Sequence, residues 1–167
     1  MEVVRYTISP STAEVLVGKT LSEAIALIEQ AGVKVDNRFR QLVSESATQI
    51  TSPPNGEVIG IKVTQVTKIS TFLNQLSEAG CCPLAPISDL LLLTHSNIGA
   101  SPDSSFRQTA SRSWILSLPD INAYQVQFEG DYFELSYSGW RDDGPGLYAD
   151  WWYALTGGNV VLVRLAS

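Results

Sequence analysis

The chain has 167 residues, 44% of them hydrophobic and only 17% charged, which is the length of one domain with enough apolar content for a sizeable core. This composition excludes a disordered chain, a collagen-like repeat and a disulfide-dense miniprotein. Seventeen acidic against eleven basic residues leave a net charge of −6, so a phosphate-neutralising surface would have to be local, and no nucleic-acid partner is expected.

The opening Met1-Glu2-Val3-Val4-Arg5-Tyr6 lacks the basic-then-apolar pattern of a secretory leader. The densest apolar run, residues 90–93, is too short to cross a bilayer. A cytoplasmic protein with no membrane partner is the expectation. Fifteen aromatic residues are spread unevenly: Tyr6, Phe39 and Phe72 in residues 1–105, and the other twelve after them. An aliphatic part (1–94), a polar loop (95–111) and an aromatic-rich sheet (112–167) are therefore expected within one α+β domain. Two to three helices should pack on a mainly antiparallel C-terminal meander of four to five strands.

Along the chain, strands are predicted over 2–8, 13–17, 33–43 and 57–66, the last because its residues are β-branched and alternate from Ile61 onward. Leu21, Ala24, Ile25, Ile28 and Ala31 form one helical stripe. Thr20-Leu21-Ser22-Glu23 is a capping box that opens this helix, and Gly32 closes it. Gly18-Lys19-Thr20 invites a phosphate-loop reading, but the position needing the first glycine is Ala13, and Glu14-Val15-Leu16-Val17 suits a phosphate cradle badly.

Val17-Gly18-Lys19-Thr20-Leu21, Glu23-Ala24, Ala31-Gly32-Val33-Lys34-Val35 and Pro53-Pro54-Asn55-Gly56 together resemble the helix and later turn of PASTA repeats. Such repeats belong to extracellular segments that recognise cell-wall peptides or glycans, so the resemblance implies that kind of ligand. It covers at most residues 11–66. The Ser44–Thr51 linker is longer than the pattern allows, and the C-terminal part has no counterpart in it. No family assignment follows from it.

A second helix repeats the first stripe with Ile69, Phe72, Leu73, Leu76 and Ala79, closed by Gly80. The adjacent Cys81 and Cys82 close a disulfide ring only with strain, so both are read as reduced. A short helix over 86–94 follows, with proline at its start. His95 comes next and is the only histidine. Its plain role is to interact with the last carbonyls of that helix. Its chemical role would be as a base for a Cys81 or Cys82 thiolate. One histidine and no ligand-spaced cysteine cluster make a metal site unexpected, and no cofactor motif is present. Within the loop predicted for 95–111, Arg107 and Arg112 are candidates for anion contact.

A strand is expected over 112–118. Gly130-Asp131 then predicts a two-residue hairpin with Phe128 facing Phe133, Val126 facing Leu135 and Tyr124 facing Tyr137. Gly157-Gly158 predicts a second, with Leu155 opposite Val160 and Tyr153 opposite Leu162. Both faces of those strands are apolar, so they should be central or covered on both sides. Between the hairpins, Trp140, Arg141, Asp142, Asp143 and Tyr148 bring rings, a guanidinium and two carboxylates to one predicted loop. That set suits a protein hot spot or sugar recognition. Asp-Gly-Pro-Gly also reads as plain turn chemistry, with the aromatics filling a core. The expected function is a non-enzymatic binding or protein-interaction module centred on 140–153. The alternatives are a Cys/His-dependent hydrolase or transferase and a binder of glycans or cell-wall fragments. A homodimer through an exposed sheet edge is possible on these grounds.

Overall fold

The computed structural model describes residues 2–44, 46–79, 85–118, 125–126 and 132–164. Strand β1 (Glu2–Thr7) runs into Ser9-Pro10, and there the chain turns helical: α1 spans Pro10–Leu16. The strand expected at 13–17 is thus corrected to a helix. The Ser9 side chain accepts the Thr12 N–H and proline occupies the first turn, so capping outweighs the β-propensity of Val15, and only Val17, past the helix end, is extended. Helix α2 (Leu21–Gln30) forms as expected: Thr20 N–H donates to Glu23 Oε1 at 3.0 Å and Glu23 N–H to Thr20 Oγ1 at 3.2 Å. Gly32 ends it at φ +109°, a left-handed step that suits glycine.

The strand expected over 33–43 is corrected to a two-residue strand β2 (Lys34–Val35) followed by α3 (Asn37–Val43). Phe39 and Val43, four residues apart, are the buried pair of α3, a helical spacing concealed within an apolar–polar run. Then come β3 (Glu57–Lys62), β4 (Thr67–Lys68), α4 (Ile69–Glu78) and α5 (Ile87–Ser96). The segment 95–111 expected to be a polar loop is corrected at both ends: α5 runs on to Ser96, and a further helix, α6 (Ser105–Arg112), takes up its last part. Ser104 caps it by accepting the Arg107 N–H, and Phe106 and Ala110 anchor it four residues apart. The remaining strands are β5 (Ile115–Ser117), β6 (Gln125–Val126), β7 (Tyr132–Arg141), β8 (Gly144–Trp152), β9 (Ala154–Leu155) and β10 (Val160–Val163).

These elements make an α+β structure with six helices among the described residues rather than two or three. The main sheet is mixed, in the order β1-β3-β10-β5-β7-β8-β2, with β6 also paired to β7; β10–β5 and β2–β8 are parallel. It is therefore not a C-terminal meander. Strands from both ends of the chain interleave, and β10 lies between β3 and β5.

Both predicted hairpin registers are corrected. Val126 pairs with Tyr132 and Gln125 with Phe133, so Val126 does not face Leu135; Tyr124 and Phe128 lie outside the described residues. The partners of β7 come from elsewhere: Tyr137 faces Tyr148, Leu135 faces Asp150, and β5 takes Ser136–Ser138 on the other side. At Gly157-Gly158 a turn does form, with Gly158 at φ +94° and Asn159 N–H donating to the Thr156 carbonyl. The flanking strands then part. Leu155 pairs with Thr67 in a small β4–β9 sheet, while β10 enters the main sheet. The expectation of a central strand holds for β10, all four of whose residues are buried.

The sheet separates two cores. On one face, α1, α2, α3, α5 and α6 enclose Tyr6, Val58, Leu147, Ala149, Val160 and Leu162. Leu90, Leu91, Leu92 and Leu93 of α5 are all fully buried, so this helix is apolar around its whole girth and lies inside the layer rather than on it. On the opposite face, α4 sets Ile69, Phe72 and Leu76 against Ile61, Leu116, Val161 and Val163. Each such side chain contributes on the order of 1.5–3 kcal/mol on burial. Polar groups inside the larger core are paired: Thr94 donates to the Leu90 carbonyl at 2.8 Å and lies 3.1 Å from Ser138 Oγ. Asp89, 1% exposed, accepts two bonds from Arg164, at 3.1 Å from Nε and 2.9 Å from Nη2. Among the described residues no helix is long and apolar enough to cross a membrane.

Candidate functional site

The segment 140–148 is not a loop. It is the tip of the β7–β8 hairpin, closed by the Arg141–Gly144 pair across Asp142-Asp143, with Gly144 at φ +100°. Side chains alternate across a strand, so Trp140 faces the helical layer while Arg141 and Tyr148 start from the other face. The five residues predicted as one surface are divided by this geometry.

Trp140 packs against the larger core, and the Arg107 guanidinium stands 4.4 Å from its ring centroid. Arg141 donates to the carbonyls of Ala110 (2.7 Å), Ser111 (3.3 Å) and Ser113 (3.4 Å), and stacks 3.6 Å over Trp114. It thus caps the C-terminal end of α6, where unpaired carbonyls favour a cation. Trp140 and Arg141 hold α6 to the sheet. Asp142 is exposed at the turn. Asp143 meets Lys34 Nζ at 3.1 Å, and this bond holds its carboxyl below the ordinary range and raises the lysine. Arg107 also donates to the Ala100 carbonyl, and Arg112 is exposed.

His95 lies in the last turn of α5, as expected, but its partner is a side chain rather than a helix carbonyl: Thr12 Oγ1 is 2.7 Å from Nδ1. Ser9 Oγ donates to Thr12 Oγ1 at 2.9 Å, so the Thr12 hydroxyl bridges Ser9 and the imidazole. Burial pushes the imidazole pKa down and favours the neutral ring. Ser9 N–H also donates to Ser96 Oγ, so the group ties the start of α1 to the end of α5. Cys81 and Cys82 lie outside the described residues. Among the described residues, no group of three or more His, Cys, Asp or Glu side chains is placed to hold a metal ion.

What the fold does assemble is a cluster of rings on the β7–β8 half of the α4 face. Trp114 packs edge-on to Tyr137 (4.8 Å between centroids) and to Tyr148 (5.7 Å). Tyr137 stacks on Tyr148 at 5.5 Å and lies 5.0 Å from Trp152. All four rings are half-buried. Two strand glycines make room: a Cβ at Gly139 would collide with Trp114, and one at Gly146 with Tyr148. Charged side chains rim the cluster, with Lys34 and Asp143 at one end and Asp150 on β8, 3.5 Å from Arg38. Burial, followed by the negative charge of Asp150, raises the Tyr137 hydroxyl pKa.

Of the predicted site only Tyr148 belongs to this cluster. Trp114 and Tyr137 were missed, and Trp152 lay within the expected 140–153 surface without being singled out. The available signal was a glycine inside each of two strands rich in aromatics, which marks a close approach from above. Ring spacing limits the chemistry. Centroids 4.8–5.7 Å apart mean rings in direct contact, with no gap between them for a cation or a sugar ring to enter. A ligand would meet ring edges and the charged rim. Compared with known proteins, the chain matches no family model, no curated protein and no solved structure.

Proposed function

We propose that the chain is a non-enzymatic interaction module that binds a polypeptide partner on the surface of Trp114, Tyr137, Tyr148 and Trp152. The observation that carries this is four half-buried rings in mutual contact on a sheet face, supported on Gly139 and Gly146 and rimmed by both signs of charge. Rigid aromatic side chains with few rotatable bonds lose little entropy on binding, and Trp and Tyr dominate protein hot spots. The closed spacing of the rings favours a surface contact over capture of a small ligand. The relocated surface also replaces the one first expected around Trp140, whose ring is engaged by Arg107.

A random peptide display library, selected on the wild-type chain, tests the proposal. Recovered peptides should bind Tyr148→Ala and Trp152→Ala variants about tenfold or more weakly, while Val15→Ser, an exposed site on α1, binds as wild type. Peptides indifferent to both ring variants, or a glycan array that lights up where no peptide is enriched, would refute it. Circular dichroism on each variant separates lost binding from lost folding.

A further inference from the structure

The two ends of the main sheet are guarded unequally. At one end β2 is two residues long and gives way at once to α3, so it offers almost no edge. At the other end β1 pairs with β3 along six consecutive residues with no bulge and no proline. The Ile8 N–H bonded to the Gly56 carbonyl sets the phase of this ladder. Counting back in twos, the backbone groups of Tyr6, Val4 and Glu2 point to β3, and those of Thr7, Arg5 and Val3 point outward. Among the described residues, none of these outward N–H and C=O groups has a hydrogen-bond partner. Val3 is 46% exposed beside them, and the one cation on the strand, Arg5, is drawn back to Glu57 at 3.2 Å.

We propose that this edge pairs antiparallel with β1 of a second copy of the chain, about a two-fold axis through Val4. Opposed residues must share a sheet face, so the two-fold passes through a residue, and centring on Val3, Val4, Arg5 or Tyr6 brings outward-pointing groups of the strand together. Centring on Tyr6 pairs Arg5 with Thr7 and leaves the exposed Val3 without a partner. Centring on Arg5 sets two guanidinium groups directly opposite one another, which repels. Centring on Val3 leaves only one hydrogen-bonded pair within the strand. Centring on Val4 gives two Val3–Arg5 pairs that exchange four hydrogen bonds, places Val4 against Val4, and covers each exposed Val3 with an arginine stem. A second copy is the occupant because the strand is its own complement in this register, with an apolar centre and its charge displaced to the flanks. An edge pair of six residues buries less than the ~1,200 Å² of a stable interface, so the dimer is reversible and concentration-dependent. β1 lies at the far edge of the sheet from β8 and β2, so this proposal does not rest on the ring cluster.

Sedimentation velocity over a wide concentration range should show a reversible monomer–dimer equilibrium. Val3→Pro removes an outward N–H that β3 does not use, and should weaken the dimer by about tenfold or more with the fold retained. Val3→Lys, which keeps the backbone intact, serves the same purpose if the proline variant does not fold. In a Cys81→Ser, Cys82→Ser background, Val4→Cys should oxidise to a disulfide-linked dimer, since directly opposed non-hydrogen-bonded residues lie within disulfide reach. A monomer at every concentration overturns the proposal. So does a dimer untouched by both Val3 variants, or one that Val4→Cys does not cross-link.

Discussion

Removing Arg164 tests the ion pair made by the buried Asp89. Arg164→Met keeps much of the side-chain volume but leaves the Asp89 carboxylate, 1% exposed, with neither of its two guanidinium bonds. Breaking a buried ion pair from one side costs about 3–5 kcal/mol. The arginine side chain is 28% exposed, so water can replace part of what it donates, and about 2–4 kcal/mol is expected here. For a chain of this size that lowers Tm by about 5–15 °C in a thermal melt followed by circular dichroism. The pH dependence is the sharper test. Burial already holds the Asp89 pKa above its ordinary value against the pull of Arg164, and losing the arginine raises it further. A carboxyl whose folded pKa lies above its unfolded value binds its proton more tightly in the native state. Its contribution to stability is therefore full at acid pH and lost as pH rises through the folded pKa. The deficit of Arg164→Met relative to wild type should accordingly shrink as pH falls from neutrality into the carboxylate range. Asp89→Leu combined with Arg164→Met should recover most of the loss, since no buried charge remains. A deficit constant with pH, or a double variant no better than the single one, would refute the reasoning.

Three further outcomes follow from the same contacts. Burial lowers the His95 pKa, so the native state disfavours the imidazolium: stability is intact above the ordinary histidine range and lost as pH falls through it, a loss that His95→Gln should flatten in melts across that range. Thr12→Val removes the hydroxyl between Ser9 and His95 and should cost about 1 kcal/mol by urea unfolding, with little change in the denaturant slope. Gly139→Ala drives a methyl group into Trp114 and should destabilise by about 1–3 kcal/mol, shifting tryptophan fluorescence as the rings move; an unchanged spectrum and melt would contradict the packing of that cluster.

Local signals in the chain were reliable where the physics is itself local. The capping box at Thr20–Glu23, the stripe of α2 and the stripe of α4 each depend on neighbours within one or two turns, and each forms as expected; Pro86 sits one place earlier than expected, as the N-cap of α5. Composition also fixed the character of β10, whose apolar residues on both faces demanded a central place. Two local errors share one cause. Residues 13–17 and 33–43 look β-like by residue type, yet Ser9-Pro10 and the Phe39–Val43 spacing turn 13–16 and 37–43 helical.

Strand partners were not legible in the same way. Each predicted hairpin satisfied its own residues, but β7 has two edges and ten residues, and its best ring partner, Tyr148, lies beyond the next turn rather than before the previous one. Which of several apolar strands sits beside another is decided by burial summed over the whole sheet, a quantity no local window contains. The candidate site depends on that choice. Tyr148 and Trp152 are conspicuous in the chain, but only the β5–β7–β8 order sets them beside Trp114 and Tyr137, and only strand alternation sends Trp140 to the opposite side. Residue identity therefore determined helix limits, turn positions and the abundance of rings. Tertiary pairing alone decided which rings meet, because contacts between residues far apart in the chain form only where the sheet as a whole buries the most apolar surface.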